Sequence, residues 1–474
     1  MKFNKEEYIE KVYACWQGKN IGGTMGTPYE HNTDMQDISG FSSEKGAPAA
    51  NDDLDLQLMW LCAIEERGIK NITSKMLAEY WISFIPPQWN EYGVAKSNLK
   101  IGLMPPYSGE HQNDLWKTSN GAWIRTEIWA TLFPGYPELA VKYAYKDACV
   151  DHGLSEGTHA AMFVAALESS AFIESDIMKL IDTGLSFIPS DSKTAKAVKL
   201  AIELHKQGAS LKEAREKIVE FNSDLGWFQA PANIAFVILG LLYGEGDFKK
   251  SMIYAIDCGD DTDCTGATIG SIMGIIGGKN AIPDDWAEYI GDSIVSFAID
   301  LSYLPRPRSC QELTDRVLAL LPQTLSAYGI SIEETDGHIK RGDEPAQRIA
   351  EFDIPENPYT YEETDLIHTL VRIQFETAPV IKPNQVLKMK AQFLNTMWEP
   401  RTLFINLLLP DGWSADYQKS VFVEQKCEMH TLKHSELEFE ITAGENVDSV
   451  NEIIMCVTAD GRPTRGMLPI TVLG

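Results

Sequence analysis

Positive charge is scarce in this chain: Lys and Arg total 41 against 68 Asp and Glu, a formal net charge of −27. A surface of that sign repels a phosphate backbone, so nucleic acid is excluded as the main ligand unless a local basic groove or bound cations reverse the field. Long apolar runs are missing as well. No stretch of about eighteen apolar residues occurs, and the start, MKFNKEEYIEKVYACWQGK, has neither the basic end nor the apolar segment of a secretion signal. The expectation is a cytoplasmic protein with no membrane partner. Cysteine is sparse and irregular: eight in 474 residues, with no CxxC pair. That matches neither a disulfide framework nor a zinc ribbon and predicts buried apolar filler. What remains is ordinary, with 44% hydrophobic and 23% charged residues, which excludes wholesale disorder and leaves enough chain for more than one core.

The texture changes near residue 340. Before it run helical patterns with apolar residues three and four apart, among them YIEKVYACWQGK, LQLMWLCAIEERG, ITSKMLAEYWISF, ELAVKYAYKDACVDHG, THAAMFVAALESSAFIE, AKAVKLAIELHKQG, NIAFVILGLLYG and DWAEYIGDSIVSFAIDL. Several of them close on Gly, as helix C-caps do. After the polar stretch from Ile330 to about Glu351 the pattern alternates, as in VLKMKAQFLN, RTLFINLLLP, SVFVEQK, LEFEITA and EIIMCVTAD. Short alternating runs separated by Pro, Gly, Asn and Asp predict a β-sandwich. The expected organisation is an all-α domain over residues 1–335, a linker over 336–355 and a smaller all-β sandwich over 356–474.

Two acidic clusters stand out, NDDLDLQL from Asn51 and CGDDTDCTGATIGSIMGIIGG from Cys258, each opening a helical pattern. One reading makes Asp52, Asp53, Asp260 and Asp261 helix caps facing the positive end of a dipole. A cap needs a single carboxylate, however, and Asp52, Asp53 and Asp55 crowd one helix start while Asp260, Asp261 and Asp263 crowd the other. Such crowding costs repulsion unless a cation sits among the acids, and Asn51, Thr262 and Thr265 add neutral oxygens of the kind hard cations take. Glycine spacing links the two clusters. Gly18, Gly22 and Gly26 precede Pro28 and Glu30, and Gly266, Gly270, Gly274 and Gly278 repeat every fourth residue. Two smooth helix faces of this kind can pack closely and bring the acidic ends together.

GKNIGGTMGTPYE, NDDLDLQL, SNGAWIR, the His of CVDHGLSEG and GDDTDCTGATIGSIMGIIGG, in that order, resemble the ADP-ribosylglycohydrolase family, which includes the dinitrogenase reductase-activating glycohydrolases. The resemblance covers about residues 8–320. It implies an all-α fold holding a divalent metal pair, magnesium first with manganese or calcium as alternatives, that hydrolyses the glycosidic bond of an ADP-ribosyl group. Carried over by position, Asn51, Asp52, Asp53, Asp261, Asp263 and Cys264 hold the metals, Glu30, Asp52 and Asp53 are catalytic, and Ser119, Asn120, Gly121 and His152 bind substrate, the first three as the loop that wraps the diphosphate and His152 in the ribose pocket. Asn51 and Cys264 stand where the family usually has Thr, Leu54 where a Thr commonly follows the paired acids, and Gly23 at a position that is often Asp. Asn51 still offers a carbonyl oxygen, whereas a thiol suits magnesium poorly, so Cys264 is expected to cede its place to water or Thr265.

Substrate selection is expected in the Pro- and Gly-punctuated segment from Asn98 to Asp114, with Tyr107, His111 and Asn113. Trp16, Trp89 and Trp116 are candidates for stacking on adenine or sugar, with core packing as the commoner alternative. QVLKMKAQFLNTMWEPRTLFINLLLPDGW, through N-x-x-x-E-P and LPDGW, resembles the immunoglobulin-like sandwiches attached to bacterial carbohydrate-active enzymes, over about residues 365–474. Such a module stabilises, dimerises or extends a binding face. The expected function is metal-dependent cleavage of an ADP-ribosyl or related ribosyl bond, the partner being an ADP-ribose-like small molecule or an ADP-ribosylated protein. Two rivals stand beside it: a nucleoside or carbohydrate glycoside hydrolase using the same site, and a non-catalytic binder of an ADP-ribose-like ligand.

Overall fold

The computed structural model describes residues 1–343, 345–346, 351–366, 368–425 and 434–474. The chain forms two compact units, Met1–Gly93 with Gln112–Gln347, and Val94–His111 with Arg348–Gly474. Of the expected linker, residues 344 and 347–350 lie outside the described residues, as do Lys426 at the end of SVFVEQK and Cys427.

Fifteen α-helices occur among the described residues: α1 Lys5–Gly26, α2 Asp52–Arg67, α3 Ser74–Phe84, α4 Asn90–Lys100, α5 Glu127–Leu132, α6 Pro137–His152, α7 Glu156–Ala171, α8 Ile177–Ser186, α9 Lys193–Lys206, α10 Leu211–Phe221, α11 Ala230–Tyr243, α12 Phe248–Asp257, α13 Thr262–Gly277, α14 Asp284–Ile290 and α15 Cys310–Ala327. Their ends carry the expected signals. Asn4 caps α1 by accepting from the Glu7 N–H at 3.1 Å, Pro137 opens α6, and Ser210 with Glu213 forms a capping box on α10. One expected helix is cut short. DWAEYIGDSIVSFAIDL is helical only to Ile290, because Gly291 at φ +81° ends the helix. The chain beyond it leaves the N–H groups of Phe297 and Ala298 free of helical partners, and Asp55 Oδ2 takes both at 2.7 Å. The first unit also carries one short parallel pairing, β1 Lys2–Phe3 with β2 Glu333–Glu334.

Helices α1 and α13 lie backbone against backbone, as the glycine spacing predicts. A Cβ at Gly22 would sit 1.8 Å from the Gly266 carbonyl oxygen, one at Gly18 2.2 Å from that of Gly270, and one at Gly26 2.1 Å from that of Thr262. The pairing order is antiparallel, so the C-terminal end of α1, leading to Glu30, meets the N-terminal end of α13 with its acids. The Thr262 hydroxyl ties the two ends by donating to the Gly26 carbonyl at 2.9 Å.

In the second unit nine strands form two antiparallel sheets around one core. They are β3 Thr360–Leu366, β4 Thr369–Phe375, β5 Val386–Asn395, β6 Arg401–Leu408, β7 Ser414–Tyr417, β8 Ser420–Val423, β9 Ser435–Thr442, β10 Val450–Ala459 and β11 Arg465–Leu473, in the orders β3-β4-β5-β9-β7 and β11-β10-β6-β8. Alternation places Leu387, Met389, Ala391 and Phe393 of β5 inside, with Leu403, Ile405 and Leu407 of β6 from the other sheet. The N-x-x-x-E-P element is a turn in which Asn395 Nδ2 donates to the Glu399 carbonyl at 2.7 Å. In LPDGW, Gly412 takes φ +81° and Trp413 packs into the core. The described cysteines are free thiols, buried except for half-buried Cys456.

Candidate functional site

The acids at the two helix starts do not serve as caps. Asn51 is the N-cap of α2, its Oδ1 accepting from the Asp53 N–H at 2.7 Å, and Asp261, the N-cap residue of α13, makes no capping hydrogen bond through its side chain. Asp53, Asp261 and Asp263 are buried and Asp52 is half-buried, and Asp263 Oδ1 accepts the Cys264 N–H at 2.9 Å. The Tyr92 hydroxyl donates to Asp52 Oδ2 at 3.0 Å. Asn120 Nδ2 donates to Asp261 Oδ2 at 2.7 Å, and the Cys264 thiol to Asp53 Oδ1 at 3.6 Å. Asp261 Oδ1 and Asp53 Oδ2 are buried with no hydrogen-bond partner. Oxygens of Asp261 and Asp263 and the Cys264 sulfur lie within 4.8 Å of one another. Buried carboxylate oxygens that lack donors fit a divalent cation.

Electrostatics agree with the geometry. Burial and then Asp263 push Asp52 up to about 6. Burial, Asp263 and Asp52 push Glu30 up to about 8. Asp261 is driven well above the ordinary carboxylate range by burial and Asp263, and Asp53 likewise by burial and Asp263 against the opposing charge of Lys19. Carboxyls whose pKa is higher folded than unfolded bind extra protons in the folded state between about pH 4 and about pH 8, so folding stability falls as pH rises through that window. Metal-free protein should melt at a lower temperature at pH 8 than at pH 5, and saturating divalent cation should reduce that difference; calorimetric scans read both.

Glu30 is held by the segment around it. Asp260, at φ +63°, donates its N–H to the Asn32 carbonyl at 2.8 Å and accepts from the His31 N–H at 3.1 Å, pinning the chain after Glu30 to the start of α13. His31 lies 3.5 Å from Glu30 and edge-on to Trp227. Gly23 and Asn51 go together: a Cβ at Gly23 would sit 2.3 Å from Asn51 Nδ2, so the asparagine amide fills the room a side chain at 23 would need.

Asp55 stands apart from the other acids, accepting the two N–H groups beyond α14. Asp55→Ala should cost about 3 kcal/mol by stranding those donors and leave cation affinity unchanged, which urea unfolding and calorimetric titration together would check.

Ser119, Asn120, Gly121 and His152 are buried. Ser119 Oγ lies 3.0 Å from His152 Nε2, and His152 Nδ1 lies 3.0 Å from Asp151 Oδ1. Asn120 bridges Asp261 and the Trp123 indole N–H, its Oδ1 accepting the latter at 2.9 Å. Glu91, missing from the sequence reading, presses its Oε1 against Gly121 and is pushed up to about 8 by burial and Asp151. Glu91, Asp151 and His152 form a second group of metal-ligating types, but there a cation is built in. Arg125 grips both Asp151 oxygens at 2.7 and 3.1 Å and Asp147 at 2.9 Å.

Sequence reading also missed Lys19, fully buried, 2.7 Å from Glu127 and 4.0 Å from Asp53. A lone charge on an otherwise Gly-lined face, GKNIGG, was the available signal. The Asp147–Asp151 spacing of four on α6 was likewise readable as one face, whereas nothing in PPQWNEYG distinguishes Glu91 or Tyr92. Trp16 is core; Trp89 is 44% exposed and packs on Tyr92 and Phe297; half-buried Trp116 meets Phe228 edge-on. Of the expected selection segment, residues up to His111 belong to the second unit, where Tyr107 Oη lies 3.2 Å from His111 Nδ1. Asn113, in the first unit, donates to the Asp151 carbonyl at 2.8 Å.

The first unit is thus helical apart from one short strand pair, with acids gathered at the starts of α2 and α13. Residues 4–321 match the family ADP-ribosylglycohydrolase, and the chain belongs to that family, whose members hydrolyse glycosidic bonds. Among solved structures, an ADP-ribosylglycohydrolase-related protein complex is similar at 19% identity and TM-score 0.48, over 67% of this chain and 99% of that one. A FixG-related protein from Vibrio parahaemolyticus matches at 7% identity and TM-score 0.19, over 22% of this chain and 95% of that one. The GAE domain of GGA2p from Saccharomyces cerevisiae matches at 14% identity and TM-score 0.18, over 24% and 96%. No curated protein matches the chain. Among the described residues no helix is long and apolar enough to cross a membrane.

Proposed function

We propose that the protein is a divalent-metal-dependent hydrolase of an ADP-ribosyl or related ribosyl glycosidic bond. The observation that carries this reading is the pairing of buried oxygens that receive no hydrogen bond, Asp53 Oδ2 and Asp261 Oδ1, from helix starts remote in sequence; Lys19 Nζ, 4.0 Å from Asp53 Oδ2, is too far to donate and offsets one charge of the group. Asp53, Asp261 and Asp263 would hold cations, with Asp52 at the solvent side. Bound there, a divalent cation supplies a water of lowered pKa and a Lewis-acid hold on ribose hydroxyls. The chain's own groups do the rest. Asp52, oriented by the Tyr92 hydroxyl, and Glu30 keep partial solvent access and accept the proton of the attacking water. Asn120 fixes Asp261, and Arg125 fixes the Asp151 side of His152. The cation is magnesium, manganese or another divalent ion.

A second reading, a ribosyl substrate lacking a diphosphate, has one specific support. The polar side chains of Ser119 and Asn120 are engaged with His152, Asp261 and Trp123, and Gly121 is closed off by Glu91. A panel of ADP-ribosylarginine, ADP-ribosylserine, nucleosides and aryl glycosides, each with and without chelator, tests both. Chelator-sensitive release of ADP-ribose supports the first reading and release from a nucleoside the second; no release from any member, with cation present, contradicts both.

A further inference from the structure

Resting on the reading of the acidic site as a cation site, we propose that Cys264 is itself a metal ligand and that the site selects a borderline divalent cation, zinc foremost, over magnesium. Three features carry it. Asp261, Asp263 and Cys264 each offer one ligand atom, two carboxylate oxygens and a sulfur, within 4.8 Å of one another, so that small side-chain rotations bring all three onto one ion. The Cys264 thiol is directed into the acids, donating to Asp53 Oδ1 at 3.6 Å, and so sits between the two helix starts. Independently, Asp261 Oδ1, on a residue only 1% exposed, has no hydrogen-bond partner.

The donor chemistry then decides which ion. Zinc takes thiolate and carboxylate in the same shell, whereas magnesium demands oxygen donors and releases its waters reluctantly. On binding, the S–H bond breaks, its proton leaves to solvent and a sulfur–metal bond forms; no electron is transferred. Two carboxylates and one thiolate give three negative charges for the ion. Other described cysteines face different partners: Cys258 donates to the Tyr254 carbonyl at 3.2 Å and Cys149 to Ser74 at 3.2 Å.

The test uses the full chain stripped by chelation and titrated with cobalt(II), whose thiolate complexes absorb in the near ultraviolet. A stoichiometric thiolate-to-cobalt band is expected, removed by zinc and resistant to a large excess of magnesium. Cys264→Ser should lack the band and bind zinc at least about 100-fold more weakly, beyond the about 10–100-fold that loss of a merely supporting residue costs a metal site. Cys258→Ser should keep the band. Cobalt bound without the band in the unaltered protein, displacement of cobalt by magnesium as readily as by zinc, or a band that follows Cys258 instead of Cys264 would each overturn the assignment, whatever the variants' stability. Hydrolysis supported by magnesium alone, with no band, overturns the thiolate ligand and leaves the hydrolase reading standing. A band without hydrolysis under any cation does the opposite.

Discussion

Asp261→Asn should abolish cation binding and lower turnover by about a thousandfold, about 4 kcal/mol of lost transition-state stabilisation from the cation. The amide keeps the shape of the carboxylate and can still accept from Asn120 Nδ2; what it loses is the charge. Asp261 lies beside Asp263, and with the other acids of the site each raises the cost of ionising its neighbours. Removing one charge relieves that repulsion, so the metal-free variant should melt at or above the temperature of the unaltered protein. The combination separates a cation cage from a structural acid. A purely structural Asp261 would lose stability on substitution while cation binding stayed unchanged. Isothermal titration with manganese, beside melting curves of the metal-free forms, reads both quantities.

The second large effect is on folding. Gly22→Ala would ordinarily stabilise a helix by about 1 kcal/mol through propensity alone, yet here its methyl group would sit 1.8 Å from a backbone oxygen of α13. Neither helix can move a backbone carbonyl aside as it would a flexible side chain, so the two must separate. The expected loss is about 3 kcal/mol or more, at the upper end for overpacked cores. Separation also spreads the helix ends that carry Glu30 and Asp261, so cation affinity should fall with stability. Gly23→Ala meets the Asn51 amide instead of backbone and should cost less stability while disturbing the start of α2. Urea unfolding of the two variants side by side checks the order.

Much of this is legible in the sequence. Spacing by fours in Gly18, Gly22 and Gly26 and in Gly266, Gly270 and Gly274 predicted the close helix pair, because no other residue permits that approach. Alternation over VLKMKAQFLN predicted β5 to the residue. Crowded acids predicted a convergence, though which of them converge depended on tertiary detail. Asp55 sits three residues from Asp52, yet it turns away to hold the chain after Gly291, a segment whose apolar pattern read as helix. Asn51 Oδ1, expected to face a cation, also accepts the Asp53 N–H, a contact that spacing alone does not reveal. Glu91 and Arg125 leave no periodic signature, because a buried charge is recognised only by the partners that folding brings, Asp151 for Arg125, whereas Lys19 shows only as the lone charge on a Gly-lined face until Glu127 is seen beside it.

Central to the account is that aspartates from the starts of α2 and α13 enclose a cation. Anomalous diffraction from crystals soaked in manganese or zinc addresses it without reference to any substrate. The account predicts a strong peak within bonding distance of Asp53, Asp261 and Asp263. A saturating soak that leaves this position without a peak, with Asp261 still bonded to Asn120 and otherwise facing only Asp263, would contradict it.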